Sequence, residues 1–125
     1  MKRVIGIGGI FFKCNDQKEV RNWYEKHLGI HSEDWGGTFP WRRQENPEVE
    51  TYTAWSPFKA DTNYFSPSNH DYMVNYQVED LNGLLATLRE EGVKVIGDIE
   101  DSEFGKFGWI MDPEGRKIEL WEPPQ

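Results

Sequence analysis

The chain says the same thing twice, and that repetition restricts its fold more than any other feature. Gly9–Cys14 reads as a strand, followed by a helix opening at Asp16, an exit at Gly29-Ile30, Trp41, a turn, and Thr53-Ala54-Trp55-Ser56-Pro57. Met73–Val78, a helix opening at Asp80, Gly92-Val93, Trp109, a turn and Glu119-Leu120-Trp121-Glu122-Pro123 follow in the same order. At 125 residues this is one compact unit, or two small modules sharing a core. The expected organisation is a single domain over 1–125, with one module at 1–58 and another at 72–125. A Pro-, Ser- and Asn-rich connection at 59–71, pinned by the rings of Tyr64 and Phe65, joins them.

Local signals support the order of elements. Asp16 and Glu19 form a capping pair, and Val20, Trp23, Tyr24, His27 and Leu28 recur at helical spacing before Gly29 stops the helix. His27, beside that stripe, reads as a structural or partly exposed side chain. Val49–Ser56 reads as a strand ended by Pro57, and Tyr72–Val78 alternates as a strand should. Asp80 caps a second helix with Leu81, Leu84, Leu85 and Leu88 on one face. Val93–Ile96 starts another strand, Asp98–Gly105 reads as acidic loop or strand edge, and Gly108–Pro123 is a hairpin turning on Asp112-Pro113-Glu114-Gly115. In that hairpin Ile118 and Leu120 take one face, while Lys117, Glu119 and Trp121 take the other. Gly6-x-Gly8 does not lead straight into a helix, so it is not a dinucleotide fingerprint.

The formal charge of −8 argues against nucleic acid and anionic membranes as partners. No run is long and apolar enough to cross a membrane, and the N-terminus does not read as a signal peptide. One cysteine, Cys14, flanked by apolar residues, fits a buried thiol in a reducing, cytoplasmic setting. The aromatic fraction of 14 % offsets the modest aliphatic content in building a core.

The ending Asp112-Pro113-Glu114-Gly115-x-x-Ile118-Glu119-Leu120-Trp121-Glu122-Pro123, with Val78-Glu79-Asp80-Leu81 and Trp23-Tyr24-x-x-x-Leu28-Gly29, resembles the vicinal-oxygen-chelate superfamily. That superfamily includes glyoxalase I, extradiol dioxygenases and bleomycin-resistance proteins. The resemblance implies an α+β fold: two tandem βαβββ modules forming a curled mixed sheet around a cavity, with the helices outside. It also implies a homodimer, and four metal-ligand positions that fall at Gly9, Thr53, Met73 and Glu119. Only Glu119 is a good ligand type, because divalent ions of this kind need several N or O donors. The expectation is therefore no metal and no cofactor, with a divalent metal as the alternative.

The strand faces expected to line the cavity carry Phe11, Lys13, Trp41, Thr53, Trp55, Met73, Asn75, Gln77, Phe107, Trp109, Lys117, Glu119 and Trp121. Broad rings with a few polar groups suit a small aromatic or amphipathic ligand. Two rivals stand beside that reading. One is a lyase, isomerase or dioxygenase-type enzyme, metal-dependent or with Glu119 as catalytic base. The other is a dimeric interaction module whose cleft is filled.

Overall fold

In the computed structural model, which describes residues 2–125, a single seven-stranded mixed sheet runs in the order β2-β3-β1-β4-β7-β6-β5. The elements are β1 (Val4–Cys14), α1 (Gln17–Leu28), β2 (Gly37–Arg42), β3 (Glu50–Lys59), β4 (Tyr72–Val78), α2 (Leu81–Glu90), β5 (Val95–Ser102), β6 (Gly105–Met111) and β7 (Lys117–Glu122). The repeat is visible as symmetry about the centre. β1 pairs in parallel with β3 as β4 does with β7, and β1 and β4 meet antiparallel in the middle. Each half is thus a crossover through a helix on the outside of the sheet, the α+β arrangement of glyoxalase-type modules. The sheet stays open. In the first half the strand matching β5 is reduced to a single bridge between Glu33 and Gly36.

The helices begin alike. Asp16 and Asp80 both sit in extended geometry and accept a hydrogen bond from the backbone N–H three residues on, at 3.0 Å in each case. Gly83 sits at that third position, and a Cβ there would meet the Asp80 carboxylate at 2.3 Å. The helix-weakening glycine therefore makes room for its own cap. Gly29, with φ of +70°, closes α1 in the left-handed conformation that favours glycine.

Their burial differs. Leu81, Leu84 and Leu85 of α2 are buried with Val78 and Leu120, and Ile110 and Ile118 pack against them. This is the main core, and each such leucine contributes roughly 1.5–3 kcal/mol. α1 has no buried residue. Its half-buried stripe is Gln17, Val20, Arg21 and Tyr24, while Trp23, His27 and Leu28 face outward, Leu28 at 59 % exposure. The apolar stripe expected from spacing is rotated because Gln17 donates to the Pro57 carbonyl (2.9 Å) and Tyr24 packs at a tilt against Trp55 (4.9 Å).

Two strand ends run further than the sequence suggests. β3 continues through Pro57 to Lys59. β2 pairs with β3 only from Trp55 back to Glu50, so beyond that point a missing N–H interrupts no ladder on that side. β5 continues through the acidic stretch to Ser102, with an irregularity between Ile96 and Glu100 where Gly97 takes φ +67°. The hairpin at Asp112–Gly115 forms as read. Gly115, at φ +84°, donates to the Asp112 carbonyl, and the Asp112 carboxylate accepts from the N–H groups of Glu114 and Arg116.

Candidate functional site

Sheet register assembles the site. Asn75 on β4 lies beside Glu119 on β7, which pairs with Trp109 on β6, so three side chains stand in one row on one face. Glu119 is 2 % exposed. Its Oε2 accepts from Asn75 Nδ2 (2.6 Å), and its Oε1 accepts from Trp109 Nε1 (3.0 Å) and from the Tyr64 hydroxyl. Both oxygens are thus engaged by neutral donors. Among the described residues no Lys, Arg or His lies within ion-pairing distance of it.

Tyr64 arrives from the connection between the modules, whose next residue, Phe65, is fully buried with Phe11 and Met73. The Tyr64 ring stacks on Phe58 (5.7 Å) and stands edge-on to Trp109 (6.5 Å). Burial first, and then the charge of Glu119 and the hydrogen bond to it, push the Tyr64 hydroxyl far above the usual tyrosine range. It therefore remains a donor. Lys117 Nζ donates to the Tyr64 carbonyl (2.8 Å) and lies over the rings of Tyr64 (5.3 Å) and Trp109 (5.6 Å). Burial lowers its pKa, against the raising influence of Glu119.

In front of this row opens a cleft of about 620 Å³. Eight of its thirteen lining residues are aromatic, and Glu119 is the one charged residue among them. Tyr52 of the first module meets Trp121 of the second at 5.3 Å, and Phe107 stacks flat on Trp121 at 6.0 Å. Gly8 leaves the space between the halves open: a Cβ there would come within 2.2 Å of Asn75 Oδ1 and 3.0 Å of the Trp121 ring.

Of the residues expected on the cavity faces, Phe11, Asn75, Phe107, Glu119 and Trp121 line this cleft. Trp109 and Met73 lie behind it, the first bonded to Glu119 and the second buried with Phe11 and Phe65. Lys13 lies over the ring of Phe65 at 5.5 Å instead of in the lining. Thr53 and Trp55 require correction. β3 turns Tyr52, Ala54, Ser56 and Phe58 toward the cleft, while Trp55 packs among Phe12 and Tyr24 on the helix side. A one-residue offset in a strand exchanges its faces, and Gly9 pairs with Ala54 rather than with Thr53.

Trp41 and Gln77 also lie outside the lining. Trp41 Nε1 donates to Thr53 Oγ1 (2.9 Å), and the hydroxyl of Thr53 donates to the Ile7 carbonyl. The Gln77 amide donates to Thr51 Oγ1 and to the Tyr52 carbonyl, each at 2.8 Å. Together they fill the end where β1 is no longer paired with β3. The sequence reading missed Trp35, Tyr52, Phe58, Tyr64 and Phe104 as lining. Only the two rings of the connection gave a signal, for Tyr64. Cys14 is half-buried, and burial raises its thiol pKa.

The donor set does not fit a divalent ion. Gly9 has no side chain, Met73 is enclosed by rings, and Thr53 is committed to Trp41 and Ile7. Among the described residues no three His, Cys, Asp or Glu side chains gather closely enough to share a metal. No helix among the described residues is long and apolar enough to cross a membrane.

Neither the scan against protein families nor the search of curated proteins found a match. Solved structures do match. A methylmalonyl-CoA epimerase superposes with a TM-score of 0.63 at 21 % identity, covering 100 % of this chain and 99 % of that one. A variant of the Streptomyces coelicolor methylmalonyl-CoA epimerase, in complex with 2-nitronate-propionyl-CoA, gives 0.66 at 16 % identity over 98 % and 99 % of the chains. The chain has the glyoxalase-type fold of these epimerases. A structure described as NAD-dependent benzaldehyde dehydrogenase from Legionella pneumophila also matches, with a TM-score of 0.61 at 12 % identity over 93 % and 98 % of the chains. At these identities the likeness is one of fold.

Proposed function

We propose that the chain binds a small aromatic or amphipathic molecule in the ring-lined cleft, without a divalent metal. The cleft itself carries this reading. Its volume, about 620 Å³, lies within the range of small-molecule sites, and its lining is apolar rings over one buried carboxylate. A general base needs a lone pair within hydrogen-bond reach of the substrate. Tyr64, Trp109 and Asn75 donate to the Glu119 oxygens and leave about one lone pair, on Oε2, for a substrate, so this reading gives the carboxylate the role of organising the floor of the cleft.

The rival reading, isomerase or lyase chemistry at Glu119, draws support from the epimerases that share the fold. It requires the substrate proton to reach the lone pair that Asn75 leaves on Oε2, or Tyr64 or Trp109 to withdraw from Oε1. The cleft lining also holds no Lys, Arg or His to receive a phosphate, so a coenzyme A ester gains nothing there beyond its acyl end.

Metal analysis of protein purified without chelator is expected to find no stoichiometric Zn, Fe, Ni or Mn. Titration of the protein with aromatic compounds is expected to give saturable Trp quenching, since Trp35 and Trp121 line the cleft. Stoichiometric bound metal overturns the metal-free part. Silence across a broad aromatic library, together with a dimer by sedimentation that buries the rings, favours an interaction module instead. The expected homodimer belongs to this proposal and is checked by the same sedimentation measurement.

A further inference from the structure

We infer that the cleft selects a monocation, a protonated or quaternary amine carried on an aromatic or aliphatic body. The inference rests on the ligand-binding reading above and specifies its chemistry. Aromatic faces carry negative charge density, and a cation placed over them gains most where water is excluded. Tyr52, Phe58, Tyr64, Phe107 and Trp121 line one space with Glu119, and the stacked pairs Phe58–Tyr64 and Phe107–Trp121 each leave an outer face uncovered by the other ring.

The second observation is that no cation among the described residues touches the carboxylate, although Lys117 is near enough to feel its charge. A carboxylate this buried is costly unless something compensates it, and here the compensation is three neutral donors with no ion pair. An ammonium entering the cleft supplies the opposite charge that the protein does not place in the lining. Two rings beside Glu119 already attract a cation: Lys117 Nζ lies over both Tyr64 and Trp109. Lys117 remains outside the lining and beyond ion-pairing distance of Glu119, so it leaves the interior position free.

Charge at the approach agrees. Asp98, Glu100, Asp101 and Glu103 are exposed in the run that leads to Phe104, itself part of the lining. Glu100 is close enough to act on both Tyr64 and Lys117, and the one opposing cation on this hairpin, Lys106, pairs across from Asp101. An acidic approach to an aromatic cleft concentrates cations and repels anions.

The test compares three probes of similar size by Trp quenching: benzyltrimethylammonium, its uncharged isostere neopentylbenzene, and phenylacetate. The quaternary ammonium is expected to bind about tenfold or more tightly than the isostere, to weaken as salt is raised, and to lose several-fold in Y52A and F104A. Both of those rings are partly or largely exposed, so the variants keep the fold, which circular dichroism checks. Phenylacetate is expected not to bind. Equal or tighter binding of neopentylbenzene overturns the charge selection and leaves the cleft-binding reading standing. Failure of all three probes, with the variants indistinguishable from the parent, overturns both.

Discussion

α1 and α2 leave the same cap and enter different surroundings. Asp16 and Asp80 have nearly identical backbone geometry and identical 3.0 Å cap bonds. Beyond that first turn, α2 drives three leucines into the main core, whereas α1 rests a half-buried stripe on rings and turns Trp23 and Leu28 to the outside. Trp55 and Trp121 diverge in the same way. Both precede an x-Pro ending, yet Trp121 lines the cleft and Trp55 packs under α1. A duplicated pattern thus carries two kinds of information. Caps and turns depend on neighbours in sequence and survive duplication; which way a strand faces depends on its partner strand and need not.

The sharpest test of that contrast is truncation of one leucine in each helix. Leu85→Ala should cost about 2–5 kcal/mol by urea unfolding, because it opens a hole among Val78, Leu81 and Leu120. Leu28→Ala should lie within about 0.5 kcal/mol of the parent. Equal costs would mean that α1 is covered in solution, by a second copy or another surface.

The next largest effect belongs to the floor of the cleft. Glu119→Leu removes both acceptor oxygens and leaves Trp109 Nε1, Asn75 Nδ2 and the Tyr64 hydroxyl facing an apolar group. The expected loss is roughly 1–3 kcal/mol. A variant as stable as the parent would show that the three-donor arrangement does not anchor the carboxylate.

The caps should behave as twins. Asp16→Ala and Asp80→Ala are each expected to cost about 1 kcal/mol, with similar values despite the unequal cores. A markedly larger loss at Asp80 would mean that cap and core act together there.

The smallest effect is a pH dependence. The folded pKa of Tyr64 is raised, so its contribution is complete below the unfolded value of about 10 and is lost as pH rises toward the folded one. Lys117, lowered in the fold, changes stability in the opposite direction, and does so below the ordinary lysine value of about 10.4 rather than above the tyrosine one. The difference between the parent and Tyr64→Phe isolates the tyrosine: the gap in stability between them should narrow as pH climbs above about 10. A gap that stays constant would remove Tyr64 from the hydrogen-bonded floor.

How far the site could be read from the chain differs from strand to strand. On β7 the alternation of Ile118 and Leu120 against Glu119 and Trp121 gives the correct faces, because the leucine-rich helix behind them defines which side is core. On β3 both alternating sets contain rings, Tyr52 and Phe58 on one side and Trp55 on the other, so hydrophobicity does not choose a face. Matching Thr53 to Glu119 through the shared Trp-x-Pro ending then places β3 one residue out. Pro57 adds to the error by resembling a strand end. Tyr64 is visible in the chain as a ring that pins the connection, but a connection carries no period from which to deduce that its hydroxyl reaches Glu119.

By itself the sequence determined the order of elements, both helix caps, the Asp112–Gly115 turn and the two-module architecture. The first three follow from interactions among residues within a few positions or from a period along one element, and the last from a pattern repeated along the whole chain. Tertiary structure alone decided that Glu119 is held by Tyr64, Asn75 and Trp109, and that Tyr52 rather than Trp55 meets Trp121. The physical reason is register. Pairing Gly9 with Ala54, and Asn75 with Glu119, is settled by hydrogen bonds between strands distant in the chain, and one residue of slip would exchange core for cleft.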